Sequence, residues 1–284
     1  MKPYTTLVGA RDLALHLQDP RWRIYDCRHD LANPMHGRGA YSRGHIPGAR
    51  FLHLDDDLSG IRNGSNGRHP LPPPHEFAAR MAANGMRDDV QVVAYDDAGG
   101  AFAARLWWML RWLGHVRVAV LDGGIAAWKR AGAPLATGPS IEEAGHFACN
   151  AHHGMEVSTS EVLARHAQTQ TQTLVVDARA PERFSGAQET LDPVAGHIPG
   201  AANRFYMDNL DDFQCFLPAA ELRDEFASLL GGRAPSAVIH SCGSGVTACH
   251  NLLAMEIAGF AGSRLYAGSW SEWCSDPARP VARG

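Results

Sequence analysis

Short apolar runs alternate with amphipathic segments along both halves of the chain. In the first half, strand-like runs at residues 22–25, 90–95 and 116–121 alternate with helical patterns at residues 76–84 and 101–113. Strands that alternate with helices of this length predict a parallel sheet flanked by helices. We therefore expect an α/β fold.

The second half repeats landmarks of the first half at a nearly constant separation. The repeated positions are a strand-ending aspartate, the histidine of a Gly-His-Ile-Pro-Gly-Ala stretch and a tryptophan near the end of each half: Asp26 with Asp177, His45 with His197, and Trp128 with Trp273. This regularity predicts a duplicated domain. We expect one domain over residues 1–135, a linker over residues 136–156 and a second domain over residues 157–284.

A strand, a glycine loop and a helix follow one another over residues 234–250. The apolar run at residues 237–239 predicts a buried strand, and the spacing from Val246 predicts a helix that ends near Gly259. The loop between them begins at Cys242 with the sequence CGSG, and its glycines allow several backbone N–H groups to point inward. Converging amides stabilise a thiolate, which is the nucleophilic form of cysteine. The pattern favours a catalytic Cys242 over a buried structural cysteine.

The first half carries the same strand, glycines and helix around Asp97. The repeat spacing places Asp97 opposite Cys242. A carboxylate can cap a helix, but it cannot accept a sulfur atom. The sequence therefore predicts that only the second domain is catalytic.

Charge and cysteine usage exclude several classes of protein. The 284 residues carry a formal net charge of −4, which gives no basis for binding nucleic acid or an anionic membrane. No apolar run approaches a membrane span, and the N-terminus lacks the apolar core of a signal peptide, so we expect a soluble cytoplasmic protein. The six cysteines include no CxxC pair, which argues against a disulfide framework and a zinc site. We expect no metal and no cofactor.

The motifs together resemble the tandem-domain rhodanese sulfurtransferases. The resemblance rests on the two HIPGA stretches, the YAGSW-x-E-W segment and the six-residue loop at residues 242–247. It implies two rhodanese-like domains, of which the C-terminal one is catalytic. It also implies that Cys242 takes a sulfane sulfur from a small-molecule donor as a persulfide. The acceptor would be a thiol or cyanide, with thioredoxin as a candidate partner.

The loop sequence CGSGVT is similar to that of the 3-mercaptopyruvate sulfurtransferases, whereas thiosulfate-preferring members carry basic residues after the cysteine. Thiosulfate is a dianion and gains from positive charge in the loop. Mercaptopyruvate instead releases pyruvate as an enolate when its sulfur is transferred, and this enolate needs a proton source, for which Ser244 is the candidate. The resemblance implies that the substrate is bound by the residues after the nucleophile: Gly243, Ser244, Gly245, Val246 and Thr247. Thiosulfate:cyanide transfer is the alternative activity.

The same resemblance implies a Ser–His–Asp arrangement in which His69 and Asp55 join Ser244. The neighbouring Asp56 and Asp57 leave the choice of acid open, and a surface-loop role is the alternative for His69.

Two arginines hold the donor carboxylate in the family, and Arg183 matches the first of them. The second is missing from residues 188–192, where Glu189 would make the pocket less favourable for anions. Arg68 and Arg105 are candidates to replace the missing arginine.

Two other functions are compatible with a thiol in such a loop. A cysteine phosphatase needs an arginine six residues after the cysteine, and that position is Ala248. A non-enzymatic persulfide carrier would form the persulfide without turning over small donors.

Overall fold

The computed structural model describes residues 2–138, 140, 144–166 and 173–284, which form two compact units. Unit 1 comprises Met1–Gly60, Pro72–His152 and Leu210–Phe216; unit 2 comprises Ile61–Leu71, His153–Asn209 and Leu217–Gly284. Each unit thus includes a short segment from the other half of the sequence. The linker at residues 136–156 remains a prediction, and its residues 139 and 141–143 lie outside the described residues.

Unit 1 contains a five-stranded parallel sheet. Its strands are β1 (Leu7–Val8), β2 (Trp22–Asp26), β3 (Arg50–Phe51), β4 (Gln91–Tyr95) and β5 (Val118–Leu121), in the order β1-β5-β4-β2-β3. Its helices are α1 (Ala10–Ala14), α2 (His36–Arg43), α3 (Pro74–Ala83), α4 (Ala103–Trp112) and α5 (Gly124–Arg130). The strands at residues 22–26, 91–95 and 118–121 and the helices at residues 74–83 and 103–112 match the predicted elements.

Helix α4 of unit 1 is buried along nearly its whole length. Trp107, Trp108 and Trp112 are each at most 2% exposed, and the indole N–H of Trp107 donates to the carbonyl of Thr5 at 2.8 Å. Arg105 on the same helix is fully buried and donates to the carbonyl of Leu58 at 3.4 Å. The three tryptophans are therefore packing residues.

Unit 2 contains a four-stranded parallel sheet in the order β7-β6-β8-β9. Its strands are β6 (Leu174–Asp177), β7 (Ala202–Asn203), β8 (Val238–Ser241) and β9 (Arg264–Leu265). Its helices are α6 (Thr159–His166), α7 (Pro181–Ser185), α8 (Ala219–Leu230), α9 (Ala248–Ile257) and α10 (Ser269–Trp273). Short 3₁₀ turns lie at His153–Met155, Tyr206–Asn209 and Pro235–Ala237. These parallel sheets with flanking helices confirm the predicted α/β fold.

The core of unit 2 gathers around the C-terminal tryptophans. Trp270 and Trp273 are fully buried and pack with Ile239 and Tyr266. Full burial of one such large side chain contributes about 1.5–3 kcal/mol to folding. Because Ile239 lies in β8 and Tyr266 directly follows β9, this core packs against the strand that leads into Cys242.

The strand registers correct one sequence-based assignment. Asp26 pairs with Tyr95 in unit 1, and Asp177 pairs with Ser241 in unit 2. The residue after Tyr95 is Asp96, so Asp96 and not Asp97 is the counterpart of Cys242. The prediction for Asp97 was wrong by one position because it used the offset of 145 between Trp128 and Trp273, whereas the offset between Tyr95 and Ser241 is 146.

Candidate active site

Cys242 lies directly after strand β8, at the carboxyl end of the parallel sheet of unit 2. This edge is where parallel α/β sheets usually carry their reactive groups. Helix α9 begins at Ala248, two residues later than the predicted start at Val246. Residues 242–247, the Cys242 loop, therefore connect the strand end to a buried helix.

Two backbone amides converge on the sulfur of Cys242. The N–H groups of Ser244 and Gly245 donate to Sγ at 3.4 and 3.1 Å, and Cys242 is 2% exposed. The sulfur is thus buried among polar hydrogens, as the glycine pattern predicts. Such amide donors favour the anionic form of a sulfur atom.

The two loop glycines meet different steric demands. Gly245 has φ +77°, and a Cβ there would lie 2.3 Å from the carbonyl oxygen of Ala267. A Cβ on Gly243 would lie 2.8 Å from Nη2 of Arg68. Gly245 is therefore needed for the turn, and Gly243 leaves room for a guanidinium group.

The segment after strand β9 supports the Cys242 loop. The backbone N–H groups of Trp270 and Ser271 donate to the carbonyls of Cys242 and Gly243 at 3.0 and 2.9 Å. The N–H of Cys242 donates to Oγ of Ser269 at 3.0 Å, and Ser269 has φ +53°. Ser269 was not among the predicted site residues, although it lies in the YAGSW segment.

Ser244 is hydrogen-bonded to His69. Nδ1 of His69 lies 2.7 Å from Oγ of Ser244, and each residue is 4% exposed. The pair forms within unit 2 because Ile61–Leu71 belongs to that unit. Ser271 anchors the segment, since its Oγ accepts the backbone N–H of Arg68 at 3.0 Å. The surface-loop alternative for His69 is therefore wrong.

Two guanidinium groups lie beside Gly243. A Cβ on this glycine would lie 2.8 Å from Nη2 of Arg68 and 3.5 Å from Nη1 and Nη2 of Arg183. Arg183 is the arginine that the resemblance assigns to the donor carboxylate. Of the two candidates for the second position, Arg68 is the one that lies at the Cys242 loop, whereas Arg105 is buried within unit 1.

Buried carboxylates hold these arginines. Arg183 forms a bidentate pair with Glu189, with N–O distances of 2.9–3.2 Å, and Glu189 also lies 3.5 Å from Arg179. Burial alone would raise the pKa of Glu189, but the N–H of Leu191 and the Arg183 guanidinium outweigh it and lower that pKa. Glu189 is therefore a paired counter-ion, which corrects the expectation that it repels anions in the pocket.

Asp192 accepts hydrogen bonds from both arginines of the site. Its Oδ1 accepts from Nη1 of Arg68, and its Oδ2 accepts from Nη2 of Arg183 at 3.1 Å. The Asp192 side chain is 2% exposed. Burial raises the pKa of Asp192, and the guanidinium of Arg68 opposes that rise.

The remaining members of the predicted site differ in what the structure shows. The carbonyls of Val246 and Thr247 accept N–H groups from Cys249 and His250 and so begin helix α9. Asp55 belongs to unit 1, where its carboxylate lies 4.0 Å from Nδ1 of His53. The substrate-binding role of Val246 and Thr247 and the catalytic role of Asp55 stay predictions.

One cluster of possible metal ligands occurs among the described residues of unit 1. His29, His53 and Asp55 each offer a ligand atom, and these atoms lie within 4.8 Å of one another. Both ring nitrogens of His53 already have partners, since Nε2 lies 2.9 Å from the carbonyl of Pro34 and Nδ1 lies 3.2 Å from the N–H of Asp55. A metal would have to displace these hydrogen bonds.

The counterpart of the Cys242 loop in unit 1 is filled by an aspartate. The carboxylate of Asp96 accepts backbone N–H groups from Ala98, Gly100, Phe102 and Ala103 at 2.8–2.9 Å. Burial raises the pKa of Asp96, although these amides oppose the rise. The amides that would stabilise a thiolate are thus occupied by an internal carboxylate.

Comparisons with known proteins identify the family of this chain. The sequence profile of the rhodanese-like domain matches residues 9–131 and again residues 158–276. The chain belongs to the rhodanese family. This membership confirms the resemblance found in the motifs and the presence of two rhodanese-like domains.

Individual relatives of this rhodanese-family chain are sulfurtransferases by name. A protein of Pseudomonas aeruginosa named "Probable 3-mercaptopyruvate sulfurtransferase" is 49% identical over 280 residues, which cover 98% of both chains. The thiosulfate sulfurtransferase of Bos taurus is 32% identical, with 95% of this chain and 92% of the bovine protein covered. The crystal structure of SseA from Escherichia coli, described as a 3-mercaptopyruvate sulfotransferase, has a TM-score of 0.79 and 33% identity, and the match covers 95% of this chain and all of SseA.

The chain is an enzyme of the sulfurtransferase class. This assignment excludes the two alternatives, a cysteine phosphatase and a non-enzymatic persulfide carrier. Across the described residues, none of its helices is long and apolar enough to cross a membrane. The predicted cytoplasmic location stays a prediction.

Proposed function

We propose that the chain transfers a sulfane sulfur from 3-mercaptopyruvate to a thiol or cyanide through a persulfide on Cys242. The observation that carries the proposal is the Ser244–His69 hydrogen bond next to the amide-bound sulfur of Cys242. A thiosulfate donor releases sulfite and needs no proton, whereas mercaptopyruvate releases an enolate that does. A buried serine–histidine pair at the nucleophile therefore favours mercaptopyruvate.

The first half-reaction forms the persulfide. The thiolate of Cys242 attacks the donor sulfur, an S–S bond forms, and the donor C–S bond breaks with its electron pair left on the enolate of pyruvate. Ser244 donates a proton to that enolate and regains one from His69, which gives pyruvate. The amides of Ser244 and Gly245 remain available to the sulfur throughout.

Arg68 and Arg183 would bind the carboxylate of the donor. Within the described ranges, neither Nη2 of Arg68 nor Nη1 of Arg183 has a hydrogen-bond partner, and both atoms lie beside Gly243. Guanidinium groups bind carboxylates through paired charge-assisted hydrogen bonds. Gly243 provides the space in which such an anion could contact both groups.

The second half-reaction returns the enzyme to its starting state. An acceptor thiol gives its proton to His69, the resulting thiolate attacks the outer sulfur of the persulfide, the S–S bond to Cys242 breaks, and the Cys242 thiolate is regenerated. Cyanide would give thiocyanate by the same displacement. Thioredoxin remains a candidate acceptor because its reactive group is a thiolate.

Thiosulfate:cyanide transfer is the second candidate activity. It is favoured by the two guanidinium groups beside the Cys242 loop, since a dianion gains from positive charge. The bovine relative named as a thiosulfate sulfurtransferase also supports it.

The test compares kcat/KM of the purified protein for the two donors, with cyanide as acceptor and thiocyanate as the measured product. We expect a higher value for 3-mercaptopyruvate, and a mass increase of one sulfur atom on the Cys242 peptide when the acceptor is left out. A higher value for thiosulfate would establish the second candidate. Absence of transfer from both donors would overturn the proposal.

A further inference from the structure

Asp192 lies between the two guanidinium groups of the Cys242 site. One carboxylate oxygen accepts from Nη1 of Arg68, and the other accepts from Nη2 of Arg183 at 3.1 Å. The Asp192 side chain is 2% exposed, whereas those of Arg68 and Arg183 are 24% and 21% exposed. The aspartate is thus a fixed buried charge, and the arginines reach from it toward the surface of the site.

Each arginine divides its guanidinium group between Asp192 and the Cys242 loop. On Arg68, Nη1 binds Asp192 and Nη2 lies 2.8 Å from the position of a Cβ on Gly243. On Arg183, Nη2 binds Asp192, and Nη1 and Nη2 both lie 3.5 Å from the same position. Nη2 of Arg68 and Nη1 of Arg183 do not bind Asp192, and they are the nitrogens that a bound anion would contact.

The charges of this cluster balance within the described part of unit 2. It contains three guanidinium groups and three carboxylates, namely Arg68, Arg179 and Arg183 with Asp177, Glu189 and Asp192. A bound donor can therefore accept hydrogen bonds from two guanidinium groups, but the cluster carries no net positive charge. Under these conditions a dianion carries more uncompensated charge, and a larger desolvation cost, than a monoanion does.

We propose that Asp192 is a specificity-determining residue that selects donors by charge, admitting a monoanionic carboxylate and disfavouring a dianion such as thiosulfate. The inference deepens the proposed function and rests on it, because it names how the same site discriminates between its two candidate donors. Asp192 acts through Arg68 and Arg183 and is a positioning residue, since its own oxygens are occupied by them.

A purely structural role for Asp192 makes a different prediction. If the carboxylate only oriented the two arginines, its loss would lower kcat/KM for every anionic donor by a similar factor. Charge selection instead predicts that the loss changes the two donors unequally. The ratio of the two kcat/KM values therefore separates the two roles.

The decisive variant is Asp192→Asn, which keeps the shape of the side chain and removes its charge. We expect the ratio of kcat/KM for thiosulfate to that for 3-mercaptopyruvate to rise about tenfold or more, since one buried charge is removed near the anion. Asp192→Glu, which restores the charge, should return the ratio toward that of the parent. The matched control is Asp224→Asn, because Asp224 is an exposed carboxylate on helix α8 of the same unit. An unchanged ratio in Asp192→Asn would overturn the proposal.

A second measurement does not depend on turnover. Iodoacetamide alkylates the thiolate of Cys242, and a bound anion should slow that reaction. We expect sulfate to protect Cys242 at a lower concentration in Asp192→Asn than in the parent, while protection by pyruvate changes much less. Equal shifts for sulfate and pyruvate would overturn the charge-selection role. If the parent transfers sulfur from neither donor, the proposed function fails, but the alkylation measurement still decides the role of Asp192.

Discussion

Nδ1 of His69 lies 2.7 Å from Oγ of Ser244, although 175 positions separate the two residues in the chain. Both side chains are buried, and both belong to unit 2. A histidine that contacts a serine hydroxyl can resupply the proton which that hydroxyl donates. This contact is the basis for the proton-transfer step proposed for the Cys242 site.

Removal of the Ser244 hydroxyl should lower the transfer rate much more with 3-mercaptopyruvate than with thiosulfate. In Ser244→Ala we expect kcat with 3-mercaptopyruvate to fall about 100-fold, because the leaving enolate loses its proton donor. Transfer from thiosulfate should stay close to that of the parent, since sulfite leaves without a proton. Steady-state kinetics with both donors checks this expectation. Ser236→Ala, an exposed serine in unit 2, is the control, and an equal loss with both donors would contradict the relay.

A thiol at the corresponding site of unit 1 should not create activity. In the double variant Cys242→Ser/Asp96→Cys we expect no thiocyanate from either donor with cyanide, because the Ser244–His69 pair and the two arginines belong to unit 2. Cys242→Ser alone should also be inactive. Loss of the amide-bound carboxylate of Asp96 should destabilise unit 1 by about 2 kcal/mol. Thiocyanate formation by the double variant would show that the amides are sufficient for catalysis.

Arg68 should contribute to binding of anionic donors. We expect Arg68→Ala to raise KM for both donors at least about tenfold, because one of the two guanidinium groups beside Gly243 is lost. Arg68→Lys should recover part of the effect, since lysine keeps the charge but not the fork of N–H donors. The control is Arg21→Ala, which removes an arginine whose side chain is 74% exposed in unit 1. An unchanged KM in Arg68→Ala would exclude Arg68 from donor binding.

The choice between Asp55 and its neighbour can be made by substitution. If Asp55 supports catalysis as the family resemblance implies, Asp55→Asn should lower kcat with 3-mercaptopyruvate about tenfold or more. Asp56→Asn should have little effect, because the side chain of Asp56 is 67% exposed whereas that of Asp55 is 29% exposed. Steady-state kinetics with both variants is the measurement. A larger loss in Asp56→Asn would move the assignment by one residue.

His240 should make stability depend on pH. It is fully buried in strand β8, and burial lowers its pKa to about 3. The unfolded chain binds this proton below its ordinary pKa of about 6.5, while the folded chain does not until about pH 3. Its contribution to stability is therefore complete above the unfolded pKa and is lost as pH falls, by at most about 1.4 kcal/mol per pH unit.

Urea denaturation of the parent and of His240→Leu between pH 7.5 and pH 4 tests this dependence. The substitution removes the titrating ring, so the parent should lose stability relative to the variant as pH falls from 6.5. His75→Leu changes an exposed histidine on helix α3 and should leave the pH dependence of the parent intact. Parallel curves for the parent and His240→Leu would show that His240 does not titrate in this range.

Local patterning was sufficient for strands β2, β4, β5 and β8 and for helices α3, α4 and α9, but the short strands β1, β3, β7 and β9 were not predicted. The predicted strands at residues 22–25 and 90–95 correspond to Trp22–Asp26 and Gln91–Tyr95, because apolar runs bounded by polar residues suit buried parallel strands. The repeat indicated two domains because each copy carries its own strand ends and tryptophans. The one-residue error at Asp97 arose because the offset between the copies is not constant, and only strand pairing fixes the register.

The polar part of the site was harder to predict. The motif was sufficient to predict a role for Arg183. Glu189 was predicted to repel anions, because the sequence does not show which charged residues form ion pairs with it. In the fold, Glu189 is bound by Arg179 and Arg183 from the stretch just before it, whereas Asp192 is bound by Arg183 and by the distant Arg68. A buried carboxylate in such a cluster is stabilised by its partners and positions them in turn.

The α/β class, the glycine loop at Cys242 and the repeated domain could be read directly from the amino-acid sequence, because local patterning and repeated landmarks encode them. The assignment of Ile61–Leu71 to unit 2, which brings His69 to Ser244 and Arg68 to Gly243, became visible only in the folded chain. The same holds for Asp96, whose carboxylate accepts the corresponding amides of unit 1. Hydrogen bonds and ion pairs between distant segments form only after packing has set the distances between them, so they cannot be read from neighbouring residues.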